Sequence, residues 1–193
     1  MKTIAVFGGT FNPFHIGHYE MLKAICELDY IGTVLVMPDK IPPHKDMDFC
    51  VSDDDRIEMC RLVCEDFDKA RLSTIEFERA GISYTADTVK ILKNRYPDTD
   101  FYFVIGGDMV TSLENWYNTE YLFNNLKFIA FSRDDNNAFK KSVKSLTAKG
   151  VKITVINKAI TDISSSNLRK NINIKYLPQK VYGYIKEKGL YNG

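Results

Sequence analysis

The chain has 193 residues, 45% of them hydrophobic, and its 26 basic and 25 acidic side chains leave a formal charge of +1. This is enough apolar material for one well-buried core and too little chain for two full domains. Near-neutral charge excludes bulk attraction to a nucleic-acid partner, and no apolar run approaches the ~20 residues that cross a bilayer.

Strand-like runs are predicted over residues 3–7, 33–37, 70–75, 101–105, 127–131 and 152–156. They alternate with helical periodicity over 16–28, 53–66, 86–95, 119–124 and 139–149, and two closing helices are predicted over 165–171 and 179–188. Strands alternating with helices build a parallel sheet with crossover helices. The expected architecture is therefore a single α/β domain over 1–193, a Rossmann-like doubly wound parallel sheet. Met1-Lys2-Thr3 passes straight into the first strand with no leader pattern, so a cytoplasmic protein is expected.

The first strand, Ile4-Ala5-Val6-Phe7, leads into Gly8-Gly9-Thr10-Phe11-Asn12-Pro13-Phe14-His15-Ile16-Gly17-His18. Glycines at the end of a buried strand let backbone N–H groups approach an anion, and the following helix points its positive end at the same place. His15 and His18 stand three apart and share one face of the first helical turn. Cys26, Cys50, Cys60 and Cys64 form no C-x-x-C pair and read as reduced thiols, with Cys60 and Cys64 stacked on one helix face as core residues. Residues 38–52, which include His44 and Lys45, make a loop too long for a mere connector. Asp53-Asp54-Asp55 after Ser52 reads as an acidic helix start. The run Phe101-Tyr102-Phe103-Val104-Ile105 has the content of a strand buried on both faces and ends in Gly106-Gly107-Asp108. If the two glycine-ended strands are neighbours, both turns open on one crevice at the carboxyl ends of the sheet. Downstream, Ile163-Ser164-Ser165-Ser166-Asn167-Leu168-Arg169 reads either as a serine helix cap or as an anion cradle.

A triphosphate lying across Gly8-Gly9-Thr10 would be positioned for transfer at phosphorus, which needs charge stabilisation more than a covalent nucleophile. The two histidines can donate to the equatorial oxygens, and Arg169 and Lys45 can reach the outer phosphates. A phosphate monoester with a second pKa near ~6 attacks without a general base. Three other readings stand beside this one. The Gly-Gly-Thr turn can be purely structural, His15, His18 and His44 can be metal ligands, or the site can hold a redox dinucleotide, for which the G-x-G-x-x-G spacing is missing.

The stretch from Gly8 to His18 is similar to the G-G-T-F-[DN]-P-x-H-x-G-H signature of the nucleotidyltransferase superfamily, and the stretch from Ile163 to Arg169 resembles its downstream I-S-S-[ST]-x-[IL]-R signature. Ile41-Pro42-Pro43-His44-Lys45, Asp55-Arg56-Ile57-Glu58-Met59, Gly81-Ile82-Ser83-Tyr84-Thr85-Ala86-Asp87-Thr88, Phe103-Val104-Ile105-Gly106-Gly107-Asp108-Met109 with Trp116-Tyr117, and the ending from Tyr176-Leu177-Pro178-Gln179-Lys180-Val181 through Gly189-Leu190-Tyr191 narrow the resemblance to the bacterial nicotinate-nucleotide adenylyltransferases. It covers nearly the whole chain.

What the resemblance implies is adenylyl transfer from ATP, with Mg²⁺, to nicotinate mononucleotide, giving deamido-NAD and pyrophosphate. It assigns catalysis to His15, His18, Lys45 and Arg169, and ATP contacts to Gly8, Gly9, Thr10, Phe11, His15, His18, Gly106, Asp108, Ile163, Ser164, Ser165 and Arg169. The mononucleotide falls to Tyr84, Thr85, Asp108, Trp116, Tyr117, His44 and Lys45, with Trp116 stacking on the pyridine ring and the backbone at Thr85 and Tyr117 receiving its carboxylate. No protein-held metal centre is implied, and a homo-oligomer stays open. Asn12 stands where Asp is frequent and Gly107 where Ala is usual, and Phe131-Ser132-Arg133-Asp134-Asp135 replaces an Arg-Pro-Gly turn, leaving the role of Arg133 open. Rival readings are a nicotinamide mononucleotide or phosphopantetheine adenylyltransferase, a cytidylyltransferase, and a catalytically silent nucleotide-binding module.

Overall fold

The computed structural model describes residues 2–40, 51–78, 84–132 and 137–191. His44, Lys45, Cys50, Arg133 and residues 81–83 lie outside the described residues. Six strands, β1 (Lys2–Gly9), β2 (Thr33–Pro38), β3 (Ala70–Leu72), β4 (Thr99–Gly106), β5 (Lys127–Phe131) and β6 (Ile153–Ile156), form one sheet in the order β3-β2-β1-β4-β5-β6. Every pairing is parallel, which is the doubly wound arrangement that the alternation of strands and helices predicts.

Side-chain alternation along the strands sorts the core into two layers. Ala5 and Phe7 of β1 with Val34 and Val36 of β2 face α1 (Ile16–Cys26), α2 (Asp53–Cys64) and the closing helix α8 (Gln179–Lys188), where Leu22, Ile25, Met59, Val63, Val181 and Ile185 complete one cluster. Ile4, Val6, Leu35 and Met37 face the other way, toward Val89 and Leu92 of α3 (Thr85–Arg95), Leu122 of α5 (Thr119–Asn125) and Leu146 of α6 (Asn137–Ala148). The switch between layers falls between β1 and β4. Their register sets Val6 opposite Phe103, so the turns at Gly8 and Gly106 leave the sheet side by side.

Three local features differ from the sequence reading. β3 stops at Leu72 instead of running to 75: Ser73 N–H still bonds the Val36 carbonyl at 2.9 Å, and the chain then leaves the sheet to bury Ile75 in the second layer. The first helix ends at Cys26, where the Leu28 amide closes back on the Ile25 carbonyl at 3.1 Å. A short helix, α4 (Gly107–Ser112), follows β4 at once and continues as a 3-10 turn at Leu113–Asn115. Its buried positions, Val110 and Leu113, are too few to reveal a period in the sequence. A second short helix, α7 (Ser165–Lys170), carries the downstream signature. Among the described residues no helix is long and apolar enough to cross a membrane.

Candidate active site

His15 is the N-cap of α1, and the two histidines form a reciprocal capping box. His18 N–H bonds His15 Nδ1 and His15 N–H bonds His18 Nδ1, both at 3.3 Å. The rings stack with centroids 3.5 Å apart and planes 16° from parallel. A ring nitrogen that accepts a backbone N–H carries no proton, so each imidazole holds its proton on Nε2, an atom able to donate to an anion. Phe11 and Phe14, themselves stacked at 4.8 Å, set their rings against His18 at 5.0 and 5.3 Å. This apolar wall fixes the ring's plane. Phe11 is only 1% exposed and lies beneath Gly9, whose Cβ would meet its ring at 3.0 Å, so any ligand contact from Phe11 goes through its backbone.

Gly17 admits the segment that carries the second signature. A Cβ there would stand 2.8 Å from the Thr161 carbonyl. Glu20, one turn further along α1, takes Thr161 N–H at 2.6 Å and its hydroxyl at 2.9 Å. That approach brings α7 onto the turn after β1. Ser164 caps α7 by accepting the Asn167 amide at 3.2 Å, and Ser165 Oγ donates to the Pro13 carbonyl at 3.0 Å across 152 residues of chain. Arg169 donates to the Asn12 carbonyl at 2.9 Å and to Ser166 Oγ at 3.1 Å. The guanidinium thereby lies against the turn after β1 rather than out in solvent.

Arg56 of α2 is fully buried, donates to the Thr10 carbonyl at 2.8 Å and pairs with Asp53 at 2.6 Å, with the Phe77 ring 5.7 Å from its guanidinium carbon. Sequence reasoning gave no role to Gly17, Glu20 or Arg56. For Arg56 a signal existed, a cation standing in the periodic buried stripe Met59, Cys60, Val63 and Cys64 of α2.

On the other side of the crevice Gly106 precedes α4, and a Cβ on it would lie 2.6 Å from Oδ1 of the exposed Asp108. Phe103 links the two turns. Its ring tip would be 3.7 Å from a Cβ on Gly8, and Trp116 packs edge-on against it at 6.0 Å. Beyond Trp116 the Tyr84 and Tyr117 rings meet at 4.5 Å while staying 40% and 55% exposed. That contact joins the two segments whose backbones are expected to bind the pyridine substituent. Behind them Thr88 donates to the buried Glu76 carboxylate and fixes the first turn of α3.

Among the described residues the thiols are not candidate nucleophiles. Burial holds Cys60 well above its usual value, and pushes Cys64 up to about 12 and Cys26 up to about 11. A cavity of about 770 Å³ lies well away from both glycine turns, among Lys2, Thr33, Arg71, Arg95 and Tyr96. Its guanidinium groups are already engaged, Arg95 with Glu78 and Arg71 with the Asp68 and Ala70 carbonyls.

Residues 6–171 match the cytidylyltransferase-like family. A protein of Listeria monocytogenes serotype 4b named "Probable nicotinate-nucleotide adenylyltransferase" is 39% identical over 97% of this chain and 96% of its own. The chain belongs to the nicotinate-nucleotide adenylyltransferase family. A Bacillus licheniformis protein of the same name is 37% identical over 99% of both chains. The fold is shared with Plasmodium falciparum nicotinic acid mononucleotide adenylyltransferase complexed with NaAD, at a TM-score of 0.80, 24% identity, and coverage of 100% and 98% of the two chains. In this adenylyltransferase, then, signatures 152 residues apart meet at one turn.

Proposed function

We propose that this chain transfers the adenylyl group of ATP to nicotinate mononucleotide, releasing pyrophosphate and forming deamido-NAD, with His15, His18 and Arg169 stabilising the charge that develops at phosphorus. The observation that carries the site assignment is the reciprocal His15–His18 cap, set beside a glycine turn to which Arg169 is already bonded. The acceptor's phosphate, dianionic above a second pKa of ~6, attacks the α-phosphorus, and the bond from that phosphorus to the bridging oxygen breaks toward pyrophosphate. Donors fixed in advance by the fold stabilise such a transition state without reorganising, and the two imidazole Nε2–H groups and the planar guanidinium are of this kind.

Among the described residues no three His, Cys, Asp or Glu side chains gather as a protein-held metal centre requires. Mg²⁺ suits this site as an ion carried by the nucleotide, since it takes its ligands chiefly from phosphates and water with one or two carboxylates, and Asp108 is exposed beside Gly106 to serve as such a carboxylate. When bound, the ion neutralises charge on the leaving pyrophosphate.

The pyridine site favours an acid over an amide. Asp87 and Thr88 N–H close on the Tyr84 carbonyl at 3.0 and 3.2 Å, and the Thr85 amide lies ahead of the first intrahelical bond of α3. That end of the helix is its positive pole and favours a carboxylate. ATP labelled at the α-phosphorus tests the reaction. The label is expected in the dinucleotide with unlabelled pyrophosphate released, and label retained in ADP or AMP with none in the dinucleotide contradicts adenylyl transfer.

A further inference from the structure

Among the described residues four non-glycine positions have positive φ: Phe11, Asp98, Asn118 and Tyr191. Asp and Asn adopt that conformation readily, whereas a bulky aromatic is a genuine outlier there. The two aromatic outliers, Phe11 at 48° and Tyr191 at 60°, meet at the same residue, Asn12. Phe11 precedes it in the chain, and the Tyr191 hydroxyl donates to its side-chain Oδ1 across 179 residues. Strain of this kind persists only where the surrounding structure enforces it, and it concentrates at functional sites.

We infer that Tyr191 is a positioning residue for nucleotide binding, its hydroxyl holding Asn12 and, through Asn12, the phosphate turn and Arg169. Asn12 is fully buried and its Nδ2 has no partner, so among the described residues the bond from Tyr191 is the only one that orients its amide. The carbonyl of the same residue accepts from Arg169 at 2.9 Å, and the next carbonyl accepts from Ser165 at 3.0 Å. The Tyr191 bond therefore anchors the residue whose backbone, with that of Pro13, carries the acceptors against which both α7 side chains are set. The chain leading to Tyr191 is itself firmly placed. α8 ends at Gly189 in the left-handed conformation, the Leu190 amide returns to the Ile185 carbonyl at 3.0 Å, and Leu190 is buried in the first core layer.

The inference rests on the adenylyl-transfer reading and is tested apart from it with Tyr191→Phe, which removes one oxygen and leaves the ring. Loss of a donor to a buried acceptor predicts roughly tenfold weaker ATP binding at equilibrium and a KM for ATP raised to match. The KM for nicotinate mononucleotide is expected to stay within about twofold, because that site is built on other elements. Asn12→Ala is expected to cause a similar loss, and the double variant no more than either alone. An unchanged ATP affinity in Tyr191→Phe, equal effects on both KM values, or additive losses would overturn the inference, even if the melting temperature fell. Wild-type protein in the same assay separates the two readings. No pyrophosphate from wild type contradicts adenylyl transfer, while wild-type release with an unaffected Tyr191→Phe contradicts the role given to the hydroxyl.

Discussion

The His15–His18 pair does two jobs with one set of atoms. Each Nδ1 satisfies a backbone N–H that the start of α1 would otherwise leave without a partner, and that bond leaves the proton on Nε2. The spacing of the histidines is legible in the sequence because both members lie on one helical turn. Their reciprocal bonding is not, since it depends on the extended conformation of His15 at φ −112° and ψ 173°. Removing one such donor from a charge-stabilising site typically costs 10² to 10³ in turnover, so His18→Ala is expected to lower kcat by roughly that factor. Circular dichroism and the melting temperature check that the fold survives the lost cap. Unchanged turnover would remove His18 from the chemistry. Gly17, Glu20 and Arg56 escaped the sequence reading for one physical reason. Their partners, Thr161 and the Thr10 carbonyl, are distant in the chain, and only the closed fold brings them together.

At the scale of elements, the helices with a clear apolar period were placed within a few residues by the sequence. α4 was not, because six residues following a glycine carry no period. The short β3 was overextended because Ile75 is as apolar as a strand residue yet packs in the opposite layer. The contact between α2 and α8 shows how the helices behind the turn after β1 are tied. Tyr184 of α8 donates to Asp55 at 2.8 Å, and Asp55 also closes the capping box of α2 with Ser52. Burial, then the bond to Asp55, pushes the Tyr184 phenol up to about 12 from the usual 10.0. A group whose folded value is raised contributes stability that is complete below its unfolded value and is lost as pH climbs through the folded one. Thermal unfolding of the wild type is therefore expected to weaken more steeply between pH 10.0 and about 12 than that of Tyr184→Phe. Parallel curves would mean that the phenol does not couple these helices.

At the scale of the molecule, the order β3-β2-β1-β4-β5-β6 makes the site possible. The winding reverses between β1 and β4, the helices that follow these strands lie on opposite faces, and the two glycine turns are left to border one crevice. α7 and α8 then return to the face of α1, so that Arg169 and Tyr191 arrive at a turn formed near the start of the chain. The sequence made the sheet and both signatures legible, but their meeting follows only from the topology. The two segments expected to receive the acceptor meet in the same way, through Tyr84 ahead of α3 and Tyr117 after α4. The most direct measurement is pyrophosphate release from ATP and Mg²⁺ with nicotinate mononucleotide, nicotinamide mononucleotide and phosphopantetheine run in parallel. Release is expected with nicotinate mononucleotide and to be far weaker with the amide, as a carboxylate held at the start of α3 requires. Silence with nicotinate mononucleotide, or faster release with either of the other two, would contradict the assignment.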